Sequence, residues 1–100
     1  MAAGMKLVIL DRDGVINHDS PEYIKTPEEW LPIEGSLEAI ANLHEHGFTV
    51  CVATNQAGIG RGLYSLQDLE RIHSKMLQAV ADAGGKITAV FYCPHHTSDD

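Results

Sequence analysis

The sequence predicts an α/β fold, a Rossmann-like three-layer parallel sheet of which these 100 residues supply a first βαβαβ portion. Three observations carry that reading. Apolar, β-branched runs at residues 6–10, 48–53 and 87–92 have strand length. Segments at 36–47 and 65–85, lying between those runs, place their apolar residues at three- and four-residue spacing, the period of a helix packed on one face. A polar cluster follows each apolar run, always at its C-terminal end, which is where open parallel sheets bind ligands.

The first run, Lys6-Leu7-Val8-Ile9-Leu10, is continuously apolar after its lysine, the pattern of a strand buried on both faces. A polar stretch from Asp11 to Gly35 follows, and connections of that length usually carry function. Ser36 is placed to cap a helix carrying Leu37, Ile40, Ala41 and His44, and Gly47 to end it in the left-handed conformation. The second strand, Phe48 to Ala53, runs into Thr54-Asn55-Gln56. Gly58, Gly60 and Gly62 mark a turned or mobile loop, and Ser65 with Asp68 has the spacing of a capping box. The longest helix carries the stripe Leu66, Leu69, Ile72, His73, Met76, Leu77, Val80 and Ala81, and Gly84-Gly85 closes it. Ile87 to Tyr92 is the third strand, ahead of Cys93-Pro94-His95-His96. There is no internal repeat.

Fourteen acidic residues against seven basic ones give a formal charge of −7, which disfavours nucleic acid and anionic lipid as partners. The apolar runs are strand-sized and Met1 to Met5 lacks the features of a leader, so the expectation is a soluble, cytoplasmic protein, monomeric by preference, acting on a small molecule. Cys51 and Cys93 are expected to be reduced thiols rather than a disulfide.

Asp11 and Asp13, two residues apart after a strand, can share one pocket, where their repulsion calls for a cation. Magnesium suits such a site because it takes few protein oxygens and keeps water and phosphate oxygens as its other ligands. The competing reading is a polar turn in which aspartate makes local hydrogen bonds. Context favours the first: the string Asp11-Arg12-Asp13-Gly14-Val15 after an apolar run resembles motif I of the haloacid dehalogenase superfamily, and Thr54 resembles its motif II. That resemblance implies Asp11 as the nucleophile that forms an aspartyl-phosphate, Asp13 as general acid and base, and Thr54 as the hydroxyl that holds a phosphoryl oxygen, with Asn55 behind it.

The segment from Thr54 to Gly62, with Cys93 and His95, is similar to the branch of the superfamily that cleaves heptose bisphosphates and histidinol phosphate, the heptose side being nearer. The likeness implies removal of the 7-phosphate of a heptose bisphosphate, with Mg²⁺ at Asp11 and Asp13 and a Zn²⁺ held in part by Cys93 and His95. The other zinc-binding pair that the likeness implies, a Cys-x-Cys, and a motif III lysine and a motif IV acid do not appear within residues 1–100, so these residues are expected to be the N-terminal part of one larger phosphatase domain with little activity alone.

Substrate contacts are expected from the long connection, at Asp19, Ser20, Pro21 and Glu22, and from Arg12, Asn55, Gln56, Ala57 and Arg61. Arg61, with its permanent planar charge, is the candidate for a second phosphate. Trp30 is read as a packing anchor and His73 as a core or edge residue. Two non-enzymatic readings compete: a module that keeps a phosphoryl group on Asp11 and signals with it, and a structural zinc module around Cys93 and His95.

Overall fold

The structure is a computed structural model that describes residues 6–94. Its elements are β1 (Leu7–Leu10), a 3-10 turn (Pro27–Glu29), α1 (Ser36–Glu45), β2 (Thr49–Asn55), α2 (Ala57–Gly60), α3 (Leu66–Asp82) and β3 (Ala89–Cys93). The strands form one parallel sheet in the order β1-β2-β3, with Ile9 beside Cys51 and Cys51 beside Ala89. This is the α/β class that the sequence predicts.

Both crossovers step one strand in the same direction, and right-handed crossovers then carry both long helices to the same face. The core shows this: Val50 and Val52 of β2 pack with Ile40 of α1 and with Ile72, Met76 and Val80 of α3. Alternate strand residues point the other way, and there Ile9 and Phe91 are each 61% exposed. The expectation of strands buried on both faces holds for the centre of β2 only, where Val50, Cys51 and Val52 are all buried. The described residues thus form two layers, the sheet and one layer of helix, while the second face of the sheet has no described element over it.

The helix ends follow local chemistry. At α3 the expected capping box is present: Asp68 N–H donates to Ser65 Oγ and Ser65 N–H to Asp68 Oδ2. At α1 the expected cap is displaced, because Gly35, with φ of 87°, takes the cap position and Ser36 becomes the first helical residue. The Ser36 hydroxyl instead donates to the Ile16 carbonyl at 2.7 Å, fastening the end of the long connection to the helix. The buried stripe of α3 is narrower than its apolar residues allow: Leu69, Ile72, Met76 and Val80 are buried, while Leu66 and Leu77 are exposed.

The connection between β1 and α1 is held rather than loose. Ile16, Ile24 and Trp30 from it enter the core, and Trp30, fully buried, is the anchor that the sequence suggests. Short bridges join Asp13 to Asn17 and Asn17 to Pro32. From the helix layer, the Lys75 ammonium donates to the carbonyls of Pro27 and Trp30 at 2.7 and 2.9 Å. The glycine-rich segment after β2, read as a loop, contains the short helix α2.

Candidate active site

Three strand ends meet at one edge of the sheet. Asp11 follows β1 directly, Thr54 and Asn55 end β2, and Cys93 ends β3 in register with Asn55. Here a cleft of about 390 Å³ opens, with Asp11, Asp13, Asn55 and Ala57 on the sheet side and Asp19, Ser20, Pro21 and Tyr23 on the side of the long connection. A neighbouring hollow of about 470 Å³ is lined by Asp11, Thr54 and Asn55 together with Phe91, Tyr92 and Cys93. Asp11 and Asn55 therefore border both.

Most of the candidate residues converge here. Glu22 is exposed and lines neither opening; its backbone carbonyl accepts from Lys25 Nζ. Arg61 also lies off the lining, but its guanidinium sits 6.0 Å from the ring centre of Tyr23, which does line the cleft.

Two of the expected substrate contacts are buried. Arg12 is fully buried, and its guanidinium is spent inside the protein. Nε donates to Asp13 Oδ1 at 2.9 Å, Nη2 lies 2.8 Å from the same oxygen as an ion pair, and Nη1 faces His73 Nε2 at 3.1 Å. Gln56, 2% exposed, is likewise turned inward. Its Nε2 donates to Thr54 Oγ1 at 2.8 Å and to Asp13 Oδ2 at 3.1 Å, while its Oε1 accepts from the Tyr64 hydroxyl.

Asp13 is paired with Arg12, and its Oδ1 takes a further N–H from Asn17 Nδ2 at 3.0 Å. Asp11 differs. Its Oδ1 accepts the Arg12 backbone N–H at 2.9 Å, but among the described residues no Lys, Arg or His side chain pairs with it. It is exposed and borders both openings.

The protonation states around this network are set by burial. Burial, partly offset by Arg12 and reinforced by Asp13, pushes the Tyr64 phenol up to about 12, so it remains a hydrogen-bond donor. Burial and then the neighbouring Arg12 charge bring the His73 imidazole down to about 4, with Asp13 opposing, so it is neutral near pH 7. Thr54 Oγ1 accepts from Gln56, which leaves its own O–H free to donate; among the described residues nothing accepts it.

Asn17, Tyr23 and Tyr64 belong to the site and carry no motif. Asn17 had a local signal, four residues after Asp13 and able to bond back to it. Tyr23 has φ of 68°, unusual for a residue with a side chain, and nothing in its neighbourhood in the sequence announces it. Tyr64 reaches Gln56 only because α2 folds the chain back.

Among the described residues no cluster of three or more His, Cys, Asp or Glu side chains is placed to hold a metal. Cys93 is exposed and Cys51 buried, both as free thiols, and His95 lies outside the described residues. The described part of the chain does not make a zinc site. No helix among the described residues is long and apolar enough to cross a membrane.

No family model matches the chain. Curated relatives do. It is 59% identical over 91 residues to the D-glycero-beta-D-manno-heptose-1,7-bisphosphate 7-phosphatase of Pseudomonas putida, covering 91% of this chain and 52% of that protein. It is 51% identical over 96 residues to the phosphatase of the same name from Neisseria meningitidis, covering 96% of this chain and 51% of the relative. The crystal structure of D,D-heptose 1,7-bisphosphate phosphatase from B. bronchiseptica, complexed with magnesium and phosphate, superposes with a TM-score of 0.92 at 52% identity, over 95% of this chain and 53% of that one. A putative HAD-like phosphatase from Mesorhizobium loti superposes with a TM-score of 0.82 at 34% identity, over 92% and 43%. The chain spans about half the length of the curated relatives it matches.

Proposed function

We infer that this chain is the nucleophile-bearing part of a haloacid dehalogenase-type phosphatase that removes the 7-phosphate of D-glycero-D-manno-heptose 1,7-bisphosphate. The observation that carries the reading is the Gln56 amide, which joins Asp13 and Thr54 at the cleft bordered by Asp11. Three groups that a covalent phosphatase needs, an unpaired carboxylate, a second carboxylate held in place and a hydroxyl with a free proton, stand at adjacent strand ends. The named relatives share 51–59% identity with the chain and the superposed magnesium–phosphate complex shares its backbone, which supports the same chemistry here.

Asp11 attacks phosphorus, the bond from phosphorus to the sugar oxygen breaks, and Asp13, entering the step as the protonated acid, gives that oxygen a proton. A water then attacks the acyl phosphate and passes its proton to Asp13, releasing phosphate and restoring the Asp11 carboxylate and the Asp13 acid. Thr54 donates its free hydroxyl proton to a phosphoryl oxygen throughout. Magnesium fits at Asp11, the carboxylate with no cationic partner among the described residues, with Asp13 bordering the same cleft; when bound it neutralises charge on the phosphoryl oxygens. Arg61, over the Tyr23 ring, is the cation near the cleft for the substrate's other phosphate. The remaining parts of the site would come from a segment equivalent to the half of the relatives that this chain does not match.

The test uses the protein with that segment present. Asp11→Asn should abolish turnover of the heptose bisphosphate while leaving the fold intact by circular dichroism. Retention of most activity would exclude the covalent route. Faster hydrolysis of histidinol phosphate than of the heptose bisphosphate would move the assignment to the other substrate.

A further inference from the structure

We propose that Tyr64, acting through Gln56, is a positioning residue that sets the orientation of both Asp13 and Thr54; the proposal deepens the phosphatase reading and rests on it for the roles of those two residues. A carboxamide has two chemically different ends, and Gln56 is too buried, at 2% exposure, for water to decide which end faces the site. The Asp13 carboxylate, which only accepts, calls for the N–H end, and the Tyr64 hydroxyl holds that choice from the other side. By donating to Oε1 it commits the opposite end, with its two N–H groups, to the site, where they divide between Thr54 Oγ1 at 2.8 Å and Asp13 Oδ2 at 3.1 Å. A flipped amide would aim a carbonyl oxygen at the Asp13 carboxylate, where both groups are acceptors. It would also offer an acceptor to the Thr54 proton that is otherwise free for substrate.

Tyr64 is suited to this by its own setting. It is buried, and its phenol, held near 12, does not ionise in the working range and so keeps its proton for Gln56. Its ring lies against Gly58, where an added Cβ would overlap Cε1, so the glycine leaves room for the ring in the position from which it reaches Gln56. Asp13 Oδ1 is held independently by Arg12 and Asn17, leaving Oδ2 as the oxygen whose placement depends on Gln56. One amide thus aligns the acid–base group and the phosphoryl-binding hydroxyl together.

The experiment is a double-mutant cycle on the full protein with Tyr64→Phe and Gln56→Leu, read as kcat and KM for the phosphomonoester, alongside hydrogen exchange of the Gln56 side-chain amide by NMR. Tyr64→Phe should lower kcat at least tenfold with KM changed less than threefold. Gln56→Leu should cost as much, and the double variant no more than the single ones. In the wild type the Gln56 amide hydrogens should be protected, and Tyr64→Phe should speed their exchange at least tenfold. Multiplicative losses in the cycle, or a Tyr64→Phe enzyme within twofold of wild type, would overturn the proposal, as would an unprotected Gln56 amide in the wild type. A wild type that hydrolyses no phosphomonoester yet shows Tyr64-dependent protection would sink the phosphatase reading and leave the positioning geometry supported.

Discussion

Nη1 of Arg12 and Nε2 of His73 lie 3.1 Å apart although 61 residues separate them in the chain. A guanidinium only donates, so the imidazole nitrogen must accept, and His73 is therefore neutral with its proton on Nδ1. The buried arginine thus has an acceptor on the α3 side and the Asp13 carboxylate on the cleft side.

That pairing makes folding pH-dependent. His73 has a folded value near 4 against an ordinary 6.5, lowered first by burial and then by Arg12, with Asp13 pulling the other way. Between those values the unfolded chain binds a proton that the folded chain refuses, so stability is fully present above pH 6.5 and falls as pH drops toward 4. Urea unfolding at stepped pH should show this decline, and His73→Gln should flatten it. An unchanged slope in the variant would place the acid sensitivity elsewhere.

Arg12→Met should destabilise the protein by about 3 kcal/mol, because it leaves Asp13 without its buried cation. Asp13 keeps some access to solvent, with 23% of its side chain exposed, which holds the loss at the lower end for a broken buried pair. The denaturation midpoint checks it, and a loss below 1 kcal/mol would mean that solvent already satisfies Asp13.

Gly58→Ala should cost roughly 1–3 kcal/mol, since the new methyl would overlap the Tyr64 ring and force it or α2 to shift. Thermal unfolding measures the loss. Pairing the change with Tyr64→Leu should recover part of it, and no recovery would place the strain in the backbone of α2.

Lys75→Met removes two hydrogen bonds to carbonyls of the long connection, at Pro27 and Trp30. The expected loss is about 1 to 2 kcal/mol. Backbone hydrogen exchange should rise in residues 26–31 and stay unchanged in β2; a uniform rise would show a global effect instead of a local tether.

The order of strands and helices was legible because periodicity and capping are local. Ser65 and Asp68 announce the start of α3 without reference to anything distant, and Gly47, with φ of 85°, sits where the sequence places the end of α1. The convergence of Asp11, Asp13, Thr54 and Asn55 was legible for another reason: parallel strands carry their carboxyl ends to one edge. What could not be read was which polar side chains turn inward. Arg12 and Gln56 look like ligand-binding residues by type, and only the positions of His73 and Tyr64, set by tertiary packing, show where their hydrogen bonds go. Ser36 does not cap α1, because Gly35 competes for the cap and the Ile16 carbonyl, twenty residues back, competes for the hydroxyl. The exposed odd-numbered residues of β1 could not be foreseen either, since an apolar run does not say which of its faces a neighbour will cover.

His73 and Lys75 sit on the same helix, one backing the arginine beneath Asp13 and the other gripping the segment that leads away from the cleft wall. The stretch from Asp19 to Glu22 is tied mostly to itself, through Ser20 N–H on Asp19 Oδ1 and Glu22 N–H on Ser20 Oγ. On the phosphatase reading proposed above, an engineer wishing to retune which ester the cleft accepts would therefore randomise the latter stretch and leave α3 alone. Diversity placed on the helix would be filtered out as lost catalysts before any change of preference could be selected.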